Sequence, residues 1–326
     1  MMLLSMLALL MVTPPAETEH FATGTGFVIV WRSHALAGAT HAGVERAFIM
    51  VHGAGRNAED YFRWALASAT VAGQLSKTVV IAPHFKSRSA GDPVEFGELE
   101  WSGSGWVSGE HAVSGKATSY DVIDQVLEVL NSQEHFPDLK EVVVAGHSAG
   151  GQLVQRYAAV NRMEPRMHVP VRYVAANPSS YLYLNDLRMQ LGAACGTDGR
   201  CTGKFVKYWD AANCTTYNRY RYGLEARTGY AAASSNEYIL EQYPRRNVTY
   251  IVGALDTRTD DSTLDRSCRA IAEGANRKER GLIYYSYIKT QFNATHTLEI
   301  APGCGHSAVC VFAGPAGVKA VFGGTD

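Results

Sequence analysis

The sequence has no excess of either charge. Its 326 residues include 30 lysines and arginines against 31 aspartates and glutamates, which gives a net charge of −1, and no block of basic residues occurs. Binding to nucleic acid or to an anionic membrane through charge requires such a block, so neither partner is predicted. Hydrophobic residues make up 46% of the chain, which suits one large α/β domain with an insertion, or two domains.

The sequence also lacks an apolar run long enough to span a membrane. The N-terminal run MMLLSMLALLMV is too short, and the residues TPPA follow it. This run resembles the apolar core of a secretory signal peptide with cleavage near Ala16, although no positively charged residue precedes it; a buried N-terminal helix is the alternative. We therefore predict a signal peptide at residues 1–16, a mature domain at residues 21–326 and an exported protein without a membrane span.

None of the cysteines lies in a metal-binding pattern. The six cysteines form no C-x-x-C pair and no histidine cluster has zinc spacing, so neither a metal nor a cofactor is predicted. An even number of cysteines in an exported chain favours disulfides. Two pairs are close in sequence, and the third is left by elimination, so that the favoured pairs are Cys195–Cys201, Cys304–Cys310 and Cys214–Cys268.

Short apolar segments alternate with segments of helical periodicity along most of the chain. This alternation predicts a mostly parallel sheet covered by helices on both faces. The predicted strands are 27–31, 47–51, 78–82, 142–144, 171–176, 248–252 and 297–300, and the predicted helices are 58–72, 120–131, 152–160, 262–275 and 316–322. We expect Asn57 and Ser119 to cap the first two helices. The alternation is lost over residues 177–246, which predicts an insertion over the carboxyl ends of the strands, where ligands bind in such sheets.

The stretch 141–151, EVVVAGHSAGG, carries the pattern G-x-S-x-G in the context that this pattern requires. Val142, Val143 and Val144 indicate a buried strand, and residues 152–160 after the pattern indicate a helix. A sharp turn between strand and helix strains the serine and exposes its hydroxyl group. We therefore predict that Ser148 is a nucleophile; the alternative is a glycine-rich turn with a solvated serine.

A serine hydroxyl is a weak nucleophile at neutral pH and needs a base with an orienting acid. Among the eleven histidines, His306 is the predicted base because it lies in a turn just past the last strand. His296 is the second choice, since it precedes that strand. Asp256 is the predicted acid because it lies just past the predicted strand 248–252. Asp260 and Asp261 are close alternatives.

The chemistry also needs two backbone N–H groups that bind an oxyanion. Ala149, at the start of the helix after Ser148, supplies one predicted donor. The other is assigned to Ala54 in the loop HGAG, with Gly55 as the second choice. This loop has neither of the glycine patterns that bind nucleotides. Four aromatic residues are predicted either to line an acyl or aromatic pocket or to lie in the core: Trp101, Trp106, Tyr181 and Tyr183.

Four motifs taken together resemble those of the α/β-hydrolase superfamily. They are HGAG at residues 52–55, GHSAGG at 146–151, GALD at 253–256 and GCGH at 303–306. The chain looks similar to secreted esterase- and lipase-like members over about residues 27–322, and the order serine, aspartate, histidine is the one expected of the superfamily. Ala54 departs from the HGGG pattern of one lipase and esterase group.

The resemblance implies the α/β-hydrolase fold with an inserted cap- or lid-like segment at residues 177–246. It also implies that Ser148, His306 and Asp256 hydrolyse carboxylic esters, small or polymeric, through an acyl-enzyme intermediate. The alternatives are a peptidase, amidase or acyltransferase with the same three residues, and a non-catalytic binding protein on the same fold. The sequence does not indicate the oligomeric state.

Overall fold

An eight-stranded sheet runs through the centre of the molecule. The structure is a computed structural model that describes residues 17–323. Its strands are β1 Glu17–Ala22, β2 Phe27–Arg32, β3 Arg46–Val51, β4 Thr78–Pro83, β5 Glu141–His147, β6 Val171–Ala176, β7 Leu187–Met189, β8 Phe205–Lys207, β9 Asn247–Gly253 and β10 Thr297–Ala301. The sheet has the order β1-β2-β4-β3-β5-β6-β9-β10, and β7 and β8 form a separate hairpin. The pairs β1–β2 and β2–β4 are antiparallel, whereas all other pairs of the sheet are parallel.

Helices cover both faces of this sheet. Their bounds are α1 Ala58–Val71, α2 Ser119–Leu130, α3 Ala149–Val160, α4 Asn236–Gln242, α5 Cys268–Ile271, α6 Arg277–Phe292, α7 Ala308–Ala313 and α8 Pro315–Phe322. Because successive side chains of a strand point to opposite faces, β3 sends Ile49 to the core beneath α2, α3 and α6, and Phe48 to the core beneath α1, α7 and α8. The predicted fold class, a mostly parallel sheet between two layers of helices, is confirmed.

The helix predicted over residues 262–275 is wrong. That segment holds only the single turn α5, and the long helix in this part of the chain is α6. The buried residues of α6 lie around most of its circumference and include Arg277 and Arg280, so the sequence shows no apolar stripe. A weaker signal was present: Asn276 caps α6 by accepting from the Glu279 N–H at 3.0 Å, and an Asn followed three residues later by Glu is typical of a helix start.

The caps of the first two helices also differ from the prediction. Thr118, not Ser119, caps α2: its hydroxyl accepts from the Asp121 N–H at 3.0 Å, and the Asp121 carboxylate accepts from the Thr118 N–H at 2.8 Å. Ser119 is the first helical residue. Asn57 does occupy the N-cap position of α1, but its amide donates to the Asp60 carboxylate at 2.6 Å instead of accepting from the backbone.

The segment 177–246 has little regular structure beyond the hairpin β7–β8 and α4. It packs against α3, where the Arg156 guanidinium donates to the Arg221 carbonyl at 3.0 Å. It also packs against the loop before α2, where the Tyr220 hydroxyl donates to the Ser108 carbonyl at 2.7 Å. These contacts attach the segment to the helical layer and to that loop.

Three disulfides cross-link the second half of the chain. They join Cys195 to Cys201, Cys214 to Cys268 and Cys304 to Cys310. The predicted signal peptide at residues 1–16 lies outside the described residues. Within residues 17–323, none of the helices has the length and apolar character needed to cross a membrane.

Candidate active site

Ser148 lies at a sharp turn between β5 and α3. Its φ is 57°, a positive value that residues with a side chain rarely adopt and that stores strain. Glycines make this turn possible, because a Cβ atom on Gly146 would overlap the Gly150 carbonyl and one on Gly150 would overlap the Val51 carbonyl. The turn therefore brings α3 close to β5 and β3, and it presents Ser148 at the carboxyl end of the sheet.

His306 lies between Ser148 and Asp256. Its Nε2 is 2.9 Å from Ser148 Oγ, and its Nδ1 is 2.8 Å from Asp256 Oδ2. Because a carboxylate only accepts hydrogen bonds, Nδ1 carries a proton and donates a hydrogen bond to Asp256. Nε2 is then free to accept a hydrogen bond from the serine hydroxyl. The structure thus brings together, within hydrogen-bond distance, three side chains that follow the ends of β5, β9 and β10.

The carboxylate of Asp256 has hydrogen-bond donors at one oxygen and a charged guanidinium near the other. Asp256 is only 3% exposed. The amide of Asn177 donates to its Oδ2 at 2.6 Å, and Nη1 of the buried Arg277 lies 3.7 Å from its Oδ1. These neighbours fix the carboxylate with Oδ2 towards the imidazole of His306. Neither Asn177 nor Arg277 was predicted from the sequence.

The two alternative acids make other contacts. Asp260 is exposed and pairs with Arg258 at 3.0 Å. Asp261 accepts from Arg277 at 3.2 Å. The hydrogen bond from the Thr263 hydroxyl, together with the charge of Arg277, holds the pKa of Asp261 well below its usual value. Asp261 therefore acts on Arg277 and not directly on His306.

The alternative base, His296, is a buried core residue. Its Nε2 lies 2.7 Å from the Tyr243 carbonyl and its Nδ1 lies 2.8 Å from the Tyr250 hydroxyl. Burial lowers the pKa of His296 to about 4, which keeps the ring neutral and lets it donate at one nitrogen and accept at the other. Its position ahead of β10 places it away from Ser148.

A tight turn at residues 53–56 fixes two backbone N–H groups beside Ser148. The Arg56 N–H donates to the Gly53 carbonyl at 3.0 Å, and Arg56 Nη1 donates to the Ala54 carbonyl at 2.8 Å. Asp92 holds the same guanidinium through Nε at 2.5 Å. Since the carbonyl and the N–H of a trans peptide point in opposite directions, these bonds also fix the N–H groups of Ala54 and Gly55.

His52 supports this turn from within the core. Its Nδ1 donates to the Gly53 carbonyl at 2.9 Å and its Nε2 accepts from the Phe85 N–H at 3.0 Å. Burial lowers the pKa of His52 to about 3, so the ring stays neutral and can make both bonds. Ala149, the other predicted donor, is the first residue of α3, and its N–H therefore has no partner within the helix.

A cleft of about 310 Å³ opens at Ser148. Its walls come from the turn at residues 53–56, from α1, and from the loops that follow β9 and β10. The lining residues are Gly53, Ala54, Gly55, Tyr61, Trp64, His147, Ser148, Thr263, His306, Ser307 and Ala308. None of these lining residues belongs to the segment 177–246.

The four aromatic residues for which a pocket and the core were the two alternatives lie in the core. They are Trp101, Trp106, Tyr181 and Tyr183, and each is at most 1% exposed. They are buried because the loop before α2 and the chain after β6 both fold inwards against the sheet and its helices. Their burial agrees with the second alternative, a place in the core, and not with a pocket wall. The aromatic wall of the cleft consists of Tyr61 and Trp64 on α1, neither of which was predicted from the sequence.

His147 packs against the imidazole of His306. The two ring centroids are 4.5 Å apart, and His147 Nδ1 lies 3.2 Å from the Tyr61 hydroxyl. Burial lowers the pKa of His147 well below its usual value, and the nearby His306 and Arg277 lower it to a smaller extent. His147 is therefore a neutral packing surface for the base.

No group of three or more histidine, cysteine, aspartate or glutamate side chains within residues 17–323 is arranged to hold a metal ion. Ser148 and His306 line the cleft, and Asp256 lies on the far side of His306 from Ser148.

Comparisons with known proteins identify the family and the fold. The model of the alpha/beta hydrolase family matches residues 48–321. Among solved structures, poly(aspartic acid) hydrolase-1 from Sphingomonas sp. KT-1 is 22% identical with a TM-score of 0.59, over 92% of this chain and 96% of that one. The poly(3-hydroxybutyrate) depolymerase LpqC from Bordetella parapertussis is 18% identical with a TM-score of 0.60, over 92% of this chain and 87% of that one. No curated protein matches the chain by sequence.

Proposed function

This chain belongs to the alpha/beta hydrolase family, and we propose that it is a serine hydrolase that cleaves carboxylic ester bonds. The observation that carries the proposal is the continuous hydrogen-bonded series from Ser148 Oγ through His306 to Asp256, with distances of 2.9 and 2.8 Å. A serine in this arrangement loses its proton to the histidine as it attacks a carbonyl carbon.

In the proposed reaction, Ser148 Oγ attacks the acyl carbon while His306 Nε2 takes the hydroxyl proton. The N–H groups of Ala149 and Ala54, with Gly55 as the alternative to Ala54, stabilise the negative charge on the former carbonyl oxygen. His306 then gives its proton to the leaving alcohol, and an acyl group remains on Ser148. Water, deprotonated by His306, hydrolyses this ester and restores the free serine.

The open cleft suits either a small ester or one ester unit of a longer chain. Its lining contains small residues on one side and Tyr61 and Trp64 on the other. The name of one structural neighbour describes a poly(3-hydroxybutyrate) depolymerase, which makes polymeric esters worth including among the test substrates. The same three residues also serve amidases, peptidases and acyltransferases, so amide substrates belong in the same panel.

We also infer that the protein is exported and that residues 1–16 are a signal peptide. The three disulfides support this inference, because such bonds form and persist in oxidising compartments. N-terminal sequencing of the exported protein should find a start near residue 17, whereas an intact N-terminus would contradict the inference.

Substitution of Ser148 tests the proposed function. Ser148→Ala should lower the hydrolysis of p-nitrophenyl esters by several orders of magnitude, roughly 10³-fold or more, while the fold is retained. A fluorophosphonate probe should label the wild type at Ser148 and leave the variant unlabelled. The matched control is Ser262→Ala, which changes an exposed serine and should keep wild-type turnover.

The substrate panel separates the reaction classes. Graded p-nitrophenyl esters, the matching p-nitroanilides and an added acceptor alcohol report ester hydrolysis, amide hydrolysis and acyl transfer. The proposal expects the esters to be cleaved fastest. Retention of more than a tenth of the esterase activity in Ser148→Ala, or faster cleavage of the anilides, would contradict it.

A further inference from the structure

Asn177 lies where the acid loop and the base loop meet. It directly follows β6, is 1% exposed, and adopts a positive φ of 47°. Its backbone N–H donates to the Ile251 carbonyl at 2.9 Å, which attaches it to β9. Its position is therefore fixed by the sheet.

The side chain of Asn177 contacts both loops. Its Oδ1 accepts from the Gly253 N–H at 3.1 Å. Its Nδ2 donates to Asp256 Oδ2 at 2.6 Å and to the Gly305 carbonyl at 3.3 Å. A single amide thus joins the strand end before Asp256, the carboxylate itself and the residue before His306.

The junction leaves no space for a different arrangement. A Cβ atom on Gly253 would lie 2.7 Å from the carbonyl oxygens of both Cys304 and Gly305, and 3.0 Å from Asn177 Nδ2. A side chain in the place of Asn177 has to donate to a carboxylate and accept from a backbone N–H at the same time. Among side chains of this length, the asparagine amide does both without taking up a proton.

We propose that Asn177 is a positioning residue for the hydrolytic reaction: its amide holds the carboxylate of Asp256 and the loop of His306 in the geometry that the relay to Ser148 needs. This inference rests on the proposed function. Asn177 does not line the cleft, so it acts through Asp256 and His306 and not on the substrate. Its loss should therefore change kcat and leave KM nearly unchanged.

The amide should also influence the pH dependence of turnover. The charged and titratable groups around the pair of His306 and Asp256 are Arg277, His147, Asp261 and Tyr181. Removal of the amide takes one hydrogen-bond donor from Asp256 Oδ2 and makes this oxygen a stronger acceptor for the protonated imidazole. The acidic limb of the profile of kcat/KM should then move to higher pH.

Two variants test the proposal. Asn177→Gly removes the amide and keeps a residue that tolerates a positive φ. Asn177→Asp keeps the shape but places a second carboxylate beside Asp256. The matched control is Asn293→Gly, because Asn293 also has a positive φ, 49°, but is an exposed residue at the end of α6.

We expect kcat to fall by roughly 10- to 100-fold in both Asn177 variants, with KM within about two-fold of wild type, in keeping with the cost of a misplaced catalytic group. The acidic limb should move to higher pH in both variants, further in Asn177→Asp because of its added charge. Asn293→Gly should match the wild type in kcat and in the position of the limb.

The inference fails if Asn177→Gly and Asn177→Asp keep kcat within two-fold of wild type. It fails too if kcat falls only in proportion to the loss of folded protein while the acidic limb stays in place, since that result indicates a structural role alone. Should one variant not fold, the other decides. Parallel assays of Ser148→Ala keep the two proposals apart: an inactive Ser148→Ala beside a fully active Asn177→Gly contradicts only the role of Asn177.

Discussion

At the scale of single residues, Asp256 has two acidic neighbours in sequence that differ from it in their contacts. An Asp→Asn change at each position separates the three. Asp256→Asn should lower kcat by about 10⁴-fold, because an amide no longer holds the proton of His306 on Nδ1. Asp260→Asn, at an exposed residue, should leave kcat within about two-fold of the wild-type value. Asp261→Asn should lower kcat by less than about tenfold, because Asp261 contacts Arg277 and not His306.

Steady-state kinetics on one p-nitrophenyl ester, with circular dichroism to verify folding, measures these effects. Asp260→Asn serves as the control for the substitution itself. A larger loss at Asp260 or Asp261 than at Asp256 would show that a different acid orients the histidine.

The predicted site residues that the structure brings together are those that directly follow the ends of strands. Ser148, Asp256 and His306 each follow a strand of a parallel sheet, and the carboxyl ends of such strands meet at one edge. Asn177 follows a strand as well, but no step of the expected reaction requires an amide side chain, so it was not predicted. Trp64 was missed for another reason: its role depends on how α1 lies beside the turn at residues 53–56, and such packing leaves no local pattern.

At the scale of elements, the loop that carries His306 is closed by the disulfide Cys304–Cys310. The disulfide Cys195–Cys201 has the same sequence separation of six residues and lies in the segment 177–246. Both bonds restrict the unfolded chain over loops of equal length. Removal of either disulfide should therefore lower the free energy of unfolding by a similar amount, roughly 2–3 kcal/mol. Their effects on turnover should differ.

The double variant Cys304→Ser/Cys310→Ser should lose turnover as well as thermal stability, because His306 is then held less firmly against Ser148. The double variant Cys195→Ser/Cys201→Ser is the matched control and should lose stability with turnover nearly unchanged below its melting temperature. Thermal melts and kinetics at a temperature where both variants are folded decide between these outcomes. Equal turnover in the two variants would show that the bond does not position the histidine.

Helices were predictable where one face is apolar. The buried residues of α2 recur at helical spacing and gave its position to within a residue. In α6 the buried residues include polar side chains that bond to other parts of the chain: Arg280 donates to the Gly274 carbonyl at 2.8 Å, and the Tyr284 hydroxyl donates to the Leu182 carbonyl at 2.7 Å. A helix that buries polar side chains in this way does not differ from a loop in its pattern of hydropathy.

At the scale of the whole molecule, buried titratable groups should make stability depend on pH. Burial lowers the pKa of His52 to about 3, of His84 and His296 to about 4, and of His147 well below its usual value. Below about pH 6.5 the unfolded chain binds protons on these histidines that the folded chain does not bind, so stability falls as the pH falls.

Glu273 opposes this trend. Burial raises its pKa to about 8, so the folded chain holds a proton there that the unfolded chain releases above its own lower pKa, and this contribution grows as the pH falls from 7 to 5.5. The four histidines outweigh the one glutamate. We expect the free energy of unfolding to decrease by about 3 kcal/mol between pH 7 and pH 5.5, at about 1.4 kcal/mol per proton and pH unit.

Urea denaturation at the two pH values measures this change. The variant His296→Gln lacks one of the four histidines and should show a smaller decrease than the wild type. Equal or greater stability of the wild type at pH 5.5 would contradict the prediction.

The sheet and its two helical layers were predictable because the strands β3, β5, β6 and β9 are apolar on both faces, and only a sheet with both faces covered buries such strands. The path of residues 177–246 was not predictable from the sequence, because its contacts with α3 and with the loop before α2 are made by single side chains and carbonyl groups.

All six cysteines lie after residue 194, in the half of the chain that supplies Asp256 and His306, whereas the strand and turn that supply Ser148 precede them. During biosynthesis the newly made chain is reduced. In that form the nucleophile can already occupy its turn, while the loop of the base is still without its cross-link. For the proposed exported enzyme, we therefore expect oxidation of the thiols to be a maturation step, with full activity reached only after Cys304 and Cys310 are joined.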